Sequence, residues 1–155
     1  MNLTVLNNSF EKQGIIDEIK SLIWHRKYKT AGVFQLTVPA SENNLSLIQR
    51  QNIIHKPGAD EAGVVDTLNI KEDESGVEII EASGYFFTGL LSRRIIPQQS
   101  TFYDTYRNIM HSLVNSNAVN TTAKRVITGL RMPTLAADTA AKQGLQVTGK
   151  NLFIY

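Results

Sequence analysis

The side chains that could bind a metal or act as nucleophiles are few and scattered in this sequence. Its three histidines, His25, His55 and His111, fall in separate segments, and no two of them have the spacing of paired metal ligands. The chain contains no cysteine, which excludes thiolate nucleophiles, disulfides and cysteine-ligated zinc. Because a zinc site needs three or four ligands, we predict no metal site, and no motif in the sequence indicates a cofactor.

Candidate paired carboxylates occur at residues 60–61 and at residues 72–74. Catalytic carboxylates need environments that move their pKa values apart, whereas both clusters fall in turn-like stretches that we expect to be exposed. The sequence also lacks the Gly-x-Ser-x-Gly nucleophile elbow, the phosphate-binding loop and the dinucleotide-binding glycine motif. These features predict that the protein is not an enzyme.

The charge balance argues against a polyanionic partner. Sixteen Lys and Arg residues face 14 Asp and Glu residues, a net charge of +2, whereas nucleic-acid-binding proteins usually carry a larger excess on one face. Residues 25–29 interleave aromatic and basic side chains, a pattern that suits either nucleic acid or a strand edge that lysines protect from unwanted pairing. We favour the protected edge and predict no nucleic-acid partner.

The sequence carries no signal for membrane insertion or secretion. No run approaches the ~18 apolar residues that a membrane span requires. The N-terminus has no basic stretch followed by an apolar block. We therefore predict no membrane span and synthesis in the cytoplasm.

The elements that must position any site are mostly short strands. Phe34, Leu36 and Val38 alternate with polar residues, which is typical of a strand with one buried face. Residues 64–71 and 77–82 predict a hairpin whose loop ends in Gly76, and Ser41 is expected to cap a short helical turn. We predict an α+β, mainly antiparallel fold, with a barrel-like or strongly curved sheet over residues 1–99.

One amphipathic helix is predicted over residues 101–116. Its apolar stripe comprises Phe102, Tyr106, Ile109 and Leu113, broadened by Tyr103, Met110 and Val114. Thr101 and Asp104 are expected to cap its first turn. Residues 100–155 would hold this helix and the start of a second, truncated domain.

A few residues are candidates for contacts with other chains. Tryptophan is enriched in both cores and interfaces, and the arginine pair fits a surface pair, an ion-pair donor or a contact between subunits. The strongly apolar final residues, 152–155, need burial somewhere, and such an ending suggests a chain that is cut or completed by a partner. The candidate interface residues are Trp24, Arg93, Arg94, Phe153 and Tyr155.

The order of several segments resembles siphophage tail proteins of the Gp37-like group. An aromatic-rich basic strand precedes a Gly-x-Phe-x-Leu-x-x-Pro pattern, and a strand pair, an Arg-Arg-Ile-Ile stretch and an amphipathic helix follow. The matching segments are residues 21–28, 32–39, 81–85, 93–96 and 101–115. The resemblance covers about residues 1–133.

This resemblance implies a structural component of a phage or prophage tail tip, the baseplate hub, made in the cytoplasm of the bacterial host. Such hubs form trimeric rings and contact the distal tail protein and the tape-measure protein. Members are usually much longer, and some carry a C-terminal peptidoglycan hydrolase, so we expect the chain to be an N-terminal part. Two alternatives stay open: a β-rich module that binds carbohydrate or a small ligand, and a fragment of a tail-associated cell-wall hydrolase.

Overall fold

The computed structural model describes residues 1–152. The chain divides into two compact units, Met1–Gly89 and a second unit that starts at Leu90. The first unit contains most of the strands, and the second contains the longest helix.

The first unit is built on a seven-stranded sheet in which every pairing is antiparallel, and this confirms the predicted α+β, mainly antiparallel fold. The spatial order is β2-β1-β5-β6-β7-β4-β3, so β2 and β3 form the two edges. Since these edges do not pair, the sheet is open and does not close into a barrel. The strands are β1 Leu3–Leu6, β2 Lys12–Ile16, β3 Ser21–His25, β4 Val33–Pro39, β5 Ile53–His55, β6 Ala62–Glu72 and β7 Glu78–Phe86.

The core of this unit lies on one face of the sheet. Phe34, Leu36 and Val38 are all buried, as their alternation predicts. A short helix, α1 (Glu42–Leu47), contributes Leu47 to the same core. Ser41 caps α1, because its Oγ accepts a hydrogen bond from the Asn44 N–H at 3.3 Å. The predicted cap and helical turn are therefore confirmed.

The aromatic ring of Phe34 packs over two glycines on neighbouring strands. A Cβ atom built on Gly63 would lie 2.4 Å from Phe34 Cδ1, and one built on Gly84 would lie 2.9 Å from Phe34 Cε1. Gly84 is also tight against the backbone, since the same Cβ would lie 1.8 Å from the Val64 carbonyl oxygen. The close packing of β4, β6 and β7 therefore depends on glycine at these two positions.

The predicted β6–β7 hairpin is present, and its turn is organised by one carboxylate. Asp73 Oδ1 accepts hydrogen bonds from the N–H groups of Ser75 and Val77 at 2.9 and 3.0 Å. Gly76 has a φ of 74°, the left-handed conformation expected there. Lys20 Nζ lies 2.5 Å from Asp73 Oδ2. These hydrogen bonds, with that of Lys20 the largest cause, lower the pKa of Asp73 to about 2.

The second unit combines a two-stranded antiparallel sheet with the long helix. Its strands are β8 Ser100–Asp104 and β9 Gln143–Val147, and its helix, α2 (Tyr106–Val114), continues as a π-helical segment over Asn115–Val119. A 3-10 helix, Phe87–Arg93, connects the strands of the first unit to this region. The buried apolar cluster of the second unit includes Ile109, Leu113 and Val147.

The predicted start of the long helix is wrong. Residues 101–104 pair with β9 instead, and Thr105 is the true N-cap, its Oγ1 accepting from the Asn108 N–H at 3.4 Å. The α-helix ends at Val114 with Asn115 as its C-cap, where the sequence predicts a stop, and a π-helical segment then continues to Val119. Tyr106 and Met110, assigned to the buried stripe, are 61% and 53% exposed.

Candidate functional site

Trp24 anchors β3 to the core. Its ring centroid lies 4.7 Å from that of Phe86 and 5.8 Å from that of Phe34. Its Nε1 atom is buried, and it has no hydrogen-bond partner among the described residues. The side chain as a whole is only partly buried. Trp24 therefore packs against the core while its N–H group stays without a hydrogen-bond acceptor among the described residues.

The two arginines predicted as interface candidates have different surroundings. Arg93 ends the 3-10 helix and is exposed. Arg94 is partly buried, and its Nε donates a hydrogen bond to the Arg125 carbonyl oxygen at 2.5 Å. The Arg94 carbonyl accepts from the Leu152 N–H at 2.6 Å. Arg94 therefore ties distant parts of the second unit together. The other candidates, Phe153 and Tyr155, lie outside the described residues.

Arginine and histidine side chains hold the long segment that connects α2 to β9. Arg125 donates to the Ile95 carbonyl at 2.6 Å and to Asn117 Oδ1 at 3.1 Å. From α2, Arg107 donates to the Ala136 carbonyl at 2.5 Å, and His111 Nε2 lies 3.1 Å from the Pro133 carbonyl oxygen. The segment has little regular structure, and these bonds take the place of a strand ladder.

The N-terminus of α2 is a second anchor for this segment. Thr105 is 2% exposed, and its hydroxyl group also hydrogen-bonds the Asp138 carboxylate. The Ala140 N–H and this hydroxyl group lower the pKa of Asp138, and Arg107 lies 3.6 Å from it. The Thr105 N–H and the Asn108 side chain likewise lower the pKa of Asp104. Both carboxylates have structural partners, and neither pKa is raised as that of a catalytic acid would be.

The face of the sheet opposite the core carries a depression of about 380 Å³ between β3, β4, β6 and β7. The strand register places Ile23, Gln35, Ser83 and Thr67 in one row across these four strands. His25, Val33 and Tyr85 form the next row, and all seven residues line the depression. We call this surface the outer-face depression.

The outer-face depression lies beside an irregularity in β6. The β6–β7 register shifts between Val65 and Thr67, so Asp66 is an extra residue in β6, and it also lines the depression. Such bulges increase local twist and often lie beside binding sites. Sequence reasoning missed this surface, because residues so far apart in the chain come together only through the register of four strands.

A second surface consists of exposed apolar side chains on α2 and the preceding strand. Tyr106 and Met110 are one helical turn apart on the same face of α2, and Tyr103 of β8 is 75% exposed. We call Tyr106 and Met110 the helix surface. The apolar periodicity of the sequence identified both residues, but it did not show that their side of the helix faces solvent.

The described part of the chain offers neither a metal-binding cluster nor a membrane-spanning helix. Over residues 1–152, no three His, Cys, Asp or Glu side chains are grouped so that they could hold a metal ion. Within the same range, no helix has the length and apolar character needed to cross a membrane.

The protein is therefore an α+β protein built on an open antiparallel sheet. The features of residues 1–152 that could bind a partner are two surfaces, the outer-face depression and the helix surface. A family model described as "Siphovirus ReqiPepy6 Gp37-like protein" matches residues 2–153, nearly the whole chain, and the protein belongs to this family. The predicted resemblance to the Gp37-like group is therefore confirmed.

A solved structure shares the fold. The crystal structure of prophage tail protein gp18 from Listeria monocytogenes EGD-e matches with a TM-score of 0.62 and 10% sequence identity. The match covers 99% of this chain and 44% of the Listeria chain, so the protein spans less than half the length of that relative. No curated protein matches the sequence.

Proposed function

We propose that the protein is a structural component of a phage tail tip, the baseplate hub, and that it acts by assembly with other chains and not by catalysis. The observation that carries this proposal is the family match over residues 2–153. The shared fold with a chain described as a prophage tail protein supports it. The protein would be made in the cytoplasm of the bacterial host and incorporated at the virion tail tip.

The proposed partners are protein chains. The full-length protein would form a trimer and contact the distal tail protein and the tape-measure protein, without a nucleic-acid partner. The net charge of +2 is consistent with protein partners, because binding to a polyanion relies on a larger positive excess. Within the described range, β2 and β3 also present unpaired strand edges, to which another chain can add a strand.

We assign part of the assembly contact to the helix surface. Tyr106 and Met110 expose 61% and 53% of their surface, and tyrosine and methionine are both enriched in protein interfaces. An interface of ordinary stability buries at least about 1,000 Å² in total, more than two side chains supply, so other residues must take part. This chain by itself would be a monomer or associate weakly.

Light scattering and co-purification of the full-length protein test this proposal. We expect a trimer that retains the distal tail protein, and we expect Tyr106→Glu with Met110→Glu to weaken one of these associations at least tenfold. Ser112→Glu is the matched control, because it adds a charge to an exposed position of the same helix. A full-length protein that stays monomeric at high concentration and binds no tail protein would contradict the proposal.

A β-rich module that binds carbohydrate is the second candidate function. The outer-face depression favours it, since the depression joins neutral polar groups with apolar surface. The two functions are compatible, because the depression and the helix surface consist of different residues. No arrangement of side chains among residues 1–152 favours the cell-wall hydrolase alternative.

A further inference from the structure

The two central strands of the outer-face depression, β4 and β7, offer a ligand side chains only. β4 lies between β3 and β7, and β7 lies between β4 and β6, so the backbone groups of both central strands are used by their neighbours. A peptide that binds by strand addition needs a free edge, which the floor of this depression does not offer. A ligand seated on β4 and β7 must therefore contact the side chains that project from these strands, whereas the free edge of β3 lies at the side of the depression.

Neutral hydrogen-bonding groups form a row across the depression. Gln35, Ser83 and Thr67 are aligned on three adjacent strands by the pairs Gln35–Ser83 and Ser83–Thr67. Neighbouring strands are roughly 4.8 Å apart, so the row spans about 10 Å. An amide and two hydroxyl groups supply both donors and acceptors over this span. This span is comparable to the length of a disaccharide.

Apolar surface flanks the polar row. Ile23 lies at one end of it and is 53% exposed, and Val33 and Tyr85 form the adjacent row. Ligand sites typically join apolar walls to a few convergent polar groups, and a volume of about 380 Å³ falls within their usual range. The alternation of polar and apolar patches matches a sugar ring, which has hydroxyl groups at its rim and C–H groups on its faces.

The charge of the lining indicates the kind of ligand. Asp66 contributes one carboxylate and His25 one imidazole, and the other lining side chains are uncharged. Among residues 1–152, no arginine or lysine lines the depression, so this part of the chain does not supply it with the groups that bind phosphate or an acidic polymer. The lining therefore suits a ligand with little net charge and many hydroxyl groups.

We propose that the outer-face depression of β3, β4, β6 and β7 is a binding site for a neutral saccharide, with Gln35, Ser83 and Thr67 as its hydrogen-bonding residues. This inference rests on the second candidate function, carbohydrate binding, and specifies its ligand and residues. It does not depend on the trimer or on the helix surface. A shallow, open site predicts weak binding, with a dissociation constant of roughly 1 mM.

Nuclear magnetic resonance titration of the isotope-labelled chain tests the proposal. The probes are chitobiose and maltose, two disaccharides that differ in their acetamido groups. We expect saturable shifts at the backbone amides of Gln35, Thr67 and Ser83 with at least one probe. Gln35→Ala combined with Ser83→Ala should weaken that binding at least tenfold, whereas Gln13→Ala, at an exposed position in β2, should leave it unchanged.

Three results would overturn the proposal. The first is the absence of shifts with either sugar up to about 50 mM, well above the expected dissociation constant. The second is an equal loss of binding in the Gln13→Ala control. The third is a set of shifts at the same amides that follows protein concentration and not sugar, which would make the depression a contact between copies. None of these results bears on tail incorporation, which the proposed function predicts separately.

Discussion

The packing of Phe34 over two glycines gives the sharpest prediction for stability. Gly84→Ala places a Cβ 1.8 Å from the Val64 carbonyl oxygen, and real Cβ atoms essentially never come within 3.0 Å of such a group. Because the clash is with backbone, β6 and β7 must move apart by about 1.2 Å. Two weakened ladder hydrogen bonds and the disturbed core together should cost roughly 4 kcal/mol or more.

Gly63→Ala should be milder, because its clash is with a side chain. The added Cβ would lie 2.4 Å from Phe34 Cδ1, and movement of the ring can relieve this contact at a cost of about 1–3 kcal/mol. Phe34→Leu removes the ring and should therefore rescue Gly63→Ala, with a coupling energy of at least about 1 kcal/mol. It should not rescue Gly84→Ala, since the Val64 carbonyl remains in place.

Urea unfolding followed by the fluorescence of Trp24, the single tryptophan, measures these free energies. Trp24 is a suitable probe because its ring packs against Phe34 and Phe86. Gly144→Ala is the control, since a Cβ there meets no atom within 4 Å. Equal costs for the Gly63 and Gly84 variants, or an absence of coupling between Gly63→Ala and Phe34→Leu, would refute the reasoning.

Three further predictions concern single side chains. Thr105→Ala should destabilise the second unit by about 1–2 kcal/mol in thermal unfolding, and Thr105→Ser should retain most of that stability, because it keeps the capping hydroxyl. Trp24→Phe should change the free energy of unfolding by less than about 1 kcal/mol, since the buried N–H that it removes has no described partner, whereas Trp24→Ala should cost about 3 kcal/mol. The pKa of Asp73 is lowered to about 2, so the bonds of its carboxylate with Lys20 and the turn stabilise the folded state fully at a pH above the ordinary carboxyl pKa near 3.9. This stabilisation is lost as the pH falls toward 2. Amide shifts of Ser75 and Val77 should follow this titration, and a midpoint near 4 would contradict it.

Local patterns predicted the parts of the fold that depend on neighbouring residues. The alternation of Phe34, Leu36 and Val38 predicts a buried strand face, and Ser41 is predicted as a helix cap. Both predictions hold because strand alternation and helix capping depend on only a few neighbouring residues. The helix start failed for the opposite reason. Residues 101–104 have apolar spacing compatible with a helix, but pairing with β9, about 40 residues away, makes them a strand.

The candidate sites depended on information that the sequence does not carry locally. The polar row of Gln35, Ser83 and Thr67 arises from the register of three strands and from the extra residue Asp66. A shift of one residue would turn each of these side chains to the other face of the sheet, and no local pattern identifies the bulge. The sequence left Arg94 open between several roles, and its hydrogen bond to the Arg125 carbonyl depends on a fold that periodicity does not reveal.

Immunogold electron microscopy of intact virions tests the proposed tail role most directly. Antibodies raised against this chain would be applied to particles of the phage or induced prophage whose genome encodes it. The proposal predicts gold particles at the distal end of the tail, in line with the family match over residues 2–153. Labelling of the head, or virions that lack the protein while the lysate contains it free, would contradict a structural role in the tail.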